Sequence, residues 1–207
     1  MINFLIISYI IVLGTNDPQV KPEITAREMK PQYETITLGG GCFWCTEAVF
    51  EKIRGIESVI SGYSGGITIN PSYRDVCTGN TGHAEVIQVQ FDPSVIKLDE
   101  ILDVFFKTHD PTSLNRQGAD IGSQYRSVIF YHNPVQKTIA DEKIKKLNSS
   151  GIFSKPIVTL LEPLTVFYQA EDYHQDYFEN HPDAAYCKSV ISPKVNKLEI
   201  NFSFMLK

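Results

Sequence analysis

Strand-like and helix-like stretches alternate along this chain, and that alternation limits its possible folds more than any other feature. Residues 33–38 are rich in β-branched and aromatic side chains, which predicts a strand. Three glycines, Gly39 to Gly41, end that strand, and an apolar helical pattern follows from about residue 42 to 53. A chain that repeats such units folds by packing helices against a sheet.

The same patterns recur in later parts of the chain. Further strands are predicted at residues 56–63, 84–91, 125–131 and 156–161, and further helices at 98–106, 135–147 and 170–178. This order predicts an α+β fold, specifically a two-layer α/β sandwich arranged as a ferredoxin-like plait, with a mixed sheet packed against helices.

The predicted folded domain covers residues 33–190, within a chain of 207 residues. Residues 1–14 form an apolar leader, and the run 2–13 has the length of the central part of a secretory signal but no preceding lysine or arginine. A linker with three prolines follows at 15–32, and residues 191–207 are predicted to be a C-terminal tail. The location is therefore cytoplasmic, or exported or membrane-tethered if the leader acts as a signal.

Charge and cysteine content exclude two classes of protein. There are 19 Lys and Arg residues against 24 Asp and Glu residues, giving a net charge of −5, which argues against nucleic-acid binding. Four cysteines in 207 residues are too few for a disulfide-stapled scaffold. We therefore expect the cysteines to serve chemistry or packing.

Cys42 follows the three glycines, so the predicted helix places it at a helix N-terminus. Free N–H groups and the positive end of the helix dipole favour a thiolate there, which would lower the pKa of the thiol and activate it as a nucleophile. The alternative is a buried structural cysteine. Cys45 lies one helical turn further on and completes a C-x-x-C pair that can form a redox disulfide.

Glu85 begins the predicted strand 84–91 and shares a face with Ile87, Val89 and Phe91. A carboxyl group at the end of an apolar face loses water, which raises its pKa and keeps it protonated. A protonated carboxyl near neutral pH can act as a general acid. The alternative is a strand-end glutamate that faces solvent. His83 fits a capping or packing role better than a metal-ligand role.

Four segments in order resemble peptide methionine sulfoxide reductases of the A type, which restore one epimer of methionine sulfoxide. They are Gly41-Cys42-Phe43-Trp44, Gly82-His83-Ala84-Glu85, the segment from Gln117 to Ser127, and Ala170-Glu171-Asp172-Tyr173-His174-Gln175-Asp176-Tyr177, with Tyr186-Cys187 after them. The resemblance covers about residues 35–187, essentially the whole predicted domain.

The resemblance implies thiol-dependent reduction of methionine-S-sulfoxide, free or in proteins, and hence repair of oxidised proteins. Cys42 would attack the sulfoxide sulfur and Glu85 would protonate its oxygen. Tyr73 and Tyr125 match the tyrosines that bind that oxygen. The residues that match the remainder of the substrate site are Phe43 and Trp44 at the methyl group, Asp120 in the lining, and Tyr177 and Tyr186 at the rim.

The resemblance also implies how the enzyme is recycled. The cysteine sulfenic acid formed at Cys42 would become a disulfide, which thioredoxin (or dithiothreitol in the test tube) reduces, with no bound cofactor or metal. Cys187 matches the recycling position, and Cys45, where the family usually has glycine, is the alternative. The partners implied are thioredoxin, oxidised proteins and free methionine sulfoxide, and we expect a monomer.

Two other interpretations remain open on the residues alone. One is a thioredoxin-like dithiol oxidoreductase that uses Cys42 and Cys45. The other is a zinc-binding module built from all four cysteines, although zinc ligands usually come as two closely spaced pairs and Cys77 and Cys187 are far apart. Cys77 matches no required role, and we expect it to be a buried thiol.

Overall fold

The computed structural model describes residues 32–207, so the predictions for the leader and most of the linker lie outside the described residues. The strands are β1 (Glu34–Gly40), β2 (Ile56–Ser64), β3 (Ala84–Phe91), β4 (Arg116–Gln117), β5 (Asp120–Ile121), β6 (Ser127–Tyr131), β7 (Leu160–Pro163) and β8 (Phe167–Gln169). The α-helices are α1 (Phe43–Phe50), α2 (Tyr73–Cys77), α3 (Leu98–Thr108), α4 (Pro134–Ser150), α5 (Tyr177–Asn180) and α6 (Ser192–Phe202).

Six of the strands form one mixed sheet in the order β7-β6-β1-β3-β2-β8. All neighbours are antiparallel except β6 and β7, which are parallel. The central strands β6-β1-β3-β2, together with α1 and α3, follow the chain order strand-helix-strand-strand-helix-strand of a ferredoxin-like plait. The predicted α+β sandwich with a mixed sheet is confirmed.

The sheet carries apolar side chains on both faces because strand residues alternate in direction. Ile87 and Val89 on β3 contribute to the main core beneath the helices, with Leu38 of β1 opposite Ile87. Val86 and Val128 belong to a smaller cluster of buried residues. Buried apolar side chains on both faces of the sheet therefore hold the ends of its central strands in fixed positions.

Helix α1 is the central helix of the core, and seven of its eight residues are buried. The chain enters it through Gly41, whose φ of +100° is a conformation that other residues rarely adopt. A Cβ atom at Gly41 would also lie 2.5 Å from Cγ of Gln117. Only glycine can therefore make this turn and leave α1 seated at the end of β1.

The elements differ from the predictions where local pattern and long-range pairing disagree. The predicted strand at 125–131 starts at Ser127, the partner of Gly40, and residues 123–125 form a 3-10 helix. The predicted strand at 156–161 shifts to Leu160–Pro163, because pairing with β6 begins at Leu160. The predicted helix at 170–178 is divided into a 3-10 helix and α5 by Asp176, whose φ is +53°.

Residues 191–207, which were predicted to be a C-terminal tail, are mostly helical. Residues Cys187–Ile191 form a π-helix that continues directly into α6. Val195 and Leu198 of α6 are buried in the main core. Within residues 32–207, no helix combines the length and apolar character that a membrane crossing needs.

Candidate active site

Cys42 is the residue that precedes the first turn of α1, with φ −55° and ψ 127°. Its position follows from the end of β1 and the turn at Gly41, and the residue is buried, with 8% of its surface exposed. The predicted location of Cys42 at a helix N-terminus is confirmed.

Glu85 reaches the same helix end from β3, where it pairs with Tyr63 of β2. The backbone N–H of Phe43 donates a hydrogen bond to Oε2 of Glu85 at 3.0 Å, so the carboxyl group lies beside the start of α1. Glu85 is 1% exposed, and burial raises its pKa to about 8. The predicted buried acid is confirmed, and it is mainly protonated at neutral pH.

The two thiols of the C-x-x-C pair influence each other's ionisation. Burial raises the pKa of the Cys42 thiol well above its ordinary value. The neighbouring Cys42 thiol lowers the pKa of Cys45 to about 7. The lowered pKa predicted for Cys42 is therefore wrong for the free protein, because the thiol is buried, the first N–H group of α1 binds Glu85, and the Cys42 side chain makes no capping hydrogen bond.

Tyr73 and Tyr125 lie on short elements beside the acid. Tyr73 begins α2, after a capping box formed by Ser72 and Asp75, and its ring stacks on Phe43 with centroids 6.4 Å apart. Tyr125 ends the 3-10 helix before β6. Burial raises the pKa of both phenols, and the charge of nearby Glu85 contributes to each shift. Both hydroxyl groups therefore remain hydrogen-bond donors.

An aromatic wall stands next to Cys42. The rings of Trp44 and Tyr177 are stacked with centroids 3.6 Å apart and an angle of 6° between their planes. The indole N–H of Trp44 donates to Nδ1 of His174 at 3.1 Å, and His174 also contacts Phe43 with centroids 4.9 Å apart. The predicted apolar residues Phe43 and Trp44 and the rim residue Tyr177 are thus brought together.

Asp120 and Tyr186 connect the loop side of the site to the second cysteine. The Tyr186 hydroxyl donates to Oδ2 of Asp120 at 2.9 Å and lies 3.8 Å from the Cys45 sulfur. Its ring meets Trp44 edge-on, with centroids 5.9 Å apart. These contacts bring both predicted residues to the rim of the site.

Cys187 is the first residue of the π-helix and has no exposed surface. Burial raises the pKa of its thiol, and the charge of Cys45 adds to that shift. Cys187 belongs to the same buried cluster as Cys42 and Cys45. The four cysteines are all free thiols in this structure.

Sequence reasoning missed three polar residues that hold the site together. Glu47 is buried on α1. Glu171 accepts hydrogen bonds from the Tyr63 hydroxyl and the Tyr73 backbone N–H. His174 contacts Trp44 and Tyr73. The only signal for Glu47 was an acid among the apolar residues of a helix. Glu171 and His174 lie in a segment that resembles the methionine sulfoxide reductase family, but the sequence indicated no role for either residue.

The structure tests the packing roles predicted for His83 and Cys77. His83 is buried and holds a loop, since its Nδ1 accepts from the Gly66 backbone N–H at 3.1 Å and its Nε2 lies 2.8 Å from the Thr68 carbonyl oxygen. The packing role is confirmed. The prediction that Cys77 is buried is wrong, because Cys77 is the last residue of α2 and is exposed to solvent.

A metal centre has no support in the described part of the chain. Among residues 32–207 no group of three or more His, Cys, Asp or Glu side chains is arranged to hold a metal ion. The groups at the N-terminal end of α1 are instead two thiols, a protonated carboxyl and two tyrosine hydroxyls. Such a set can attack an electrophilic atom and protonate an oxygen bound to it.

Comparisons with known proteins agree with this chemistry. A family model for peptide methionine sulfoxide reductase matches residues 34–204. Peptide methionine sulfoxide reductase MsrA 1 of Rhodopirellula baltica is 54% identical over 185 residues, which cover 89% of this chain and 95% of that protein.

Solved structures give the same result. The reduced form of Mxr1 from Saccharomyces cerevisiae aligns with a TM-score of 0.69 and 36% identity, covering 75% of this chain and 90% of that one. A structure of Mxr1 in complex with Trx2 aligns with a TM-score of 0.50 and 27% identity, covering 72% and 90% of the two chains. With its fold and nearly its whole domain matched, this chain belongs to the peptide methionine sulfoxide reductase family.

Proposed function

We propose that the chain reduces methionine-S-sulfoxide to methionine, with Cys42 as nucleophile and Glu85 as general acid. The hydrogen bond from the Phe43 N–H to Glu85 carries this proposal, because it holds a protonated carboxyl beside the residue that precedes α1. A nucleophile and an acid must meet at one S=O group for this reaction. Thiol-dependent methionine sulfoxide reduction is the activity of the family to which the chain belongs.

The reductive step balances without an outside proton. Glu85 gives its proton to the sulfoxide oxygen, and the Cys42 sulfur attacks the sulfoxide sulfur while its thiol proton leaves. The S–O bond and the new S–S bond to Cys42 then both break as the hydroxyl group passes from the substrate sulfur to the Cys42 sulfur, so that methionine is released and Cys42 becomes a sulfenic acid. The neighbouring Cys45, whose pKa is lowered to about 7, can accept that thiol proton when it is ionised.

The other residues fix the substrate around the reacting sulfur. Neutral Tyr73 and Tyr125 can donate hydrogen bonds to the sulfoxide oxygen, while Phe43 and Trp44 can receive the S-methyl group. An apolar pocket excludes water and so helps keep Glu85 protonated. Fixing oxygen, methyl group and nucleophile around one sulfur selects one of its two epimers.

Recycling requires a second thiol, and the contacts of Cys45 support a relay. Cys45 lies one helical turn after Cys42, and the π-helix that begins at Cys187 contacts α1. We propose that the Cys45 thiol attacks the Cys42 sulfenic acid, releasing water and forming a disulfide. The Cys187 thiol then attacks Cys45, which frees Cys42 and moves the disulfide to Cys45–Cys187.

A dithiol reductant must finally reduce that disulfide and become a disulfide itself. Thioredoxin is the reductant we propose for this chain. The structure of Mxr1 in complex with Trx2 supports the proposal, because Mxr1 is a relative with the same fold.

The direct test is to incubate the protein with separated S and R epimers of a methionine sulfoxide peptide and dithiothreitol. We expect loss of the S epimer only. The Cys42→Ser variant is the control for reduction by the reagent alone. Consumption of both epimers at equal rates, or of neither, would contradict the proposal.

A further inference from the structure

Glu47 is a buried acid on α1 that the proposed chemistry does not use. It lies one turn after Phe43 and Trp44, is 1% exposed, and uses both of its oxygens. The Ser61 hydroxyl donates to Oε1 at 2.8 Å, and the Tyr177 backbone N–H donates to Oε2 at 3.3 Å. Glu47 therefore joins α1 to strand β2 and to the start of α5.

The start of α5 depends on this outside contact. Asp176, the residue before α5, makes no side-chain capping hydrogen bond, although helix N-termini normally need one. Asp176 also has a φ of +53°, a conformation that non-glycine residues adopt at a cost. The Glu47 carboxyl supplies the missing acceptor, so it fixes where the backbone of Tyr177 lies.

The position of Tyr177 matters because its ring covers Trp44. The two rings lie nearly parallel at a centroid distance of 3.6 Å, and Trp44 is on the same helix as Glu47. The neighbouring residue Gln175 ties the same segment to Ser61 through its Oε1 and Nε2 atoms. Ser61, Glu47 and the segment before α5 therefore form one connected set of hydrogen bonds behind the aromatic wall.

We propose that Glu47 is a positioning residue that holds Tyr177 against Trp44 and thereby shapes the substrate pocket. This inference rests on the proposed function only for its effect on substrate. Loss of the contact should weaken substrate binding more than it slows the reaction, because Cys42 and Glu85 are held by β1, β3 and α1 without the help of α5.

Two variants separate a positioning role from simple burial. Glu47→Met has similar length but leaves the Tyr177 N–H and the Ser61 hydroxyl without acceptors. Glu47→Gln can accept from the Tyr177 N–H through its oxygen and donate to Ser61 through its amide, so it should rescue the contact. Burial raises the pKa of Glu47 to about 7, so glutamine also resembles the protonated form present near neutral pH.

Tryptophan fluorescence reports the contact without substrate, because Trp44 is the only tryptophan in the sequence. In Glu47→Met we expect the emission to shift to longer wavelength and acrylamide quenching to increase, with both returned to wild-type values in Glu47→Gln. We also expect Glu47→Met to raise KM for methionine sulfoxide about tenfold with a smaller change in kcat, as for loss of a buried hydrogen bond.

Control variants test whether the effects are specific to the Glu47–Tyr177 contact, and separate results decide that contact and the proposed reduction of sulfoxide. Glu199→Met, an exposed change on α6, and Ser58→Ala, on β2, should match wild type in every readout, and Ser61→Ala should keep the stack because the Tyr177 bond remains. Unchanged fluorescence in folded Glu47→Met, or equal changes in Glu47→Met and Glu47→Gln, would overturn the positioning role. A wild-type protein that reduces no sulfoxide would overturn the proposed function, while the fluorescence result would still decide the contact.

Discussion

The two sides of the site are built in different ways. Cys42 and Glu85 are held by main-chain elements, since one follows strand β1 and the other lies on the neighbouring strand β3. Residues 170–187 instead consist of a three-residue 3-10 helix, the four-residue helix α5, connecting loops and the helical residues that lead into the π-helix at Cys187. That segment is held mainly by side chains that bond to backbone groups, such as Glu47 and Gln175.

This difference teaches which property each side controls. The sheet side should set the rate of the chemical step, because it fixes nucleophile and acid to the most deeply buried strands. The side built by residues 170–187 should set substrate binding and recycling, because it supplies Tyr177, Tyr186 and Cys187. Variants on the two sides should therefore separate rate effects from binding and recycling effects.

The largest effect is expected on the sheet side, at Glu85. Glu85→Gln keeps the shape of the side chain but removes its acidic proton, so single-turnover formation of methionine should slow by about 10²–10⁴-fold. The matched control is Glu34→Gln, the same change at the exposed start of β1. An unchanged single-turnover rate in Glu85→Gln would place the acid elsewhere.

The pH profile sharpens the same point. Burial raises the pKa of Glu85 to about 8, and the carboxyl can donate a proton only below its pKa. The single-turnover rate of the wild type should therefore fall as the pH rises through about 8, while Glu85→Gln should lose that fall. A wild-type rate that keeps rising through this range would show that ionisation of a thiol limits the reaction instead.

On the other side, Cys187→Ser should spare the first turnover and stop most of the thioredoxin-driven cycling. After one equivalent of substrate, peptide mapping should find Cys45–Cys187 in the wild type and Cys42–Cys45 in Cys187→Ser. A dominant Cys42–Cys187 disulfide in the wild type would replace the relay with a direct route. That direct route is what the family resemblance alone predicts.

The smallest effect on chemistry is expected from the buried face of α6. Leu198→Ala should lower the free energy of unfolding by about 2–5 kcal/mol, because it removes a fully buried side chain from the main core. Single-turnover rates of the folded variant should stay close to wild type. Ile200→Ala, on the exposed face of the same helix, should cost little stability. Equal stability losses would contradict the packing of α6.

The sequence predicted the sheet side of the site better than the side built by residues 170–187. The positions of Cys42 and Glu85 depend on a glycine-rich turn and on strand alternation, which are local patterns, and both were predicted. The Glu47–Tyr177 contact joins residues 130 positions apart, so no local pattern indicates it. The raised pKa of Cys42 was missed because its main cause, burial of the thiol, exists only in the folded protein.

The central claim is that the oxygen leaves the substrate on the Cys42 sulfur. It is tested most directly in a chain with Cys45→Ser and Cys187→Ser, which cannot form the relay disulfides. After one equivalent of methionine-S-sulfoxide and a sulfenic-acid trap, mass spectrometry should find one modified Cys42 for each methionine formed. Methionine formed while Cys42 remains an unmodified thiol would contradict the account.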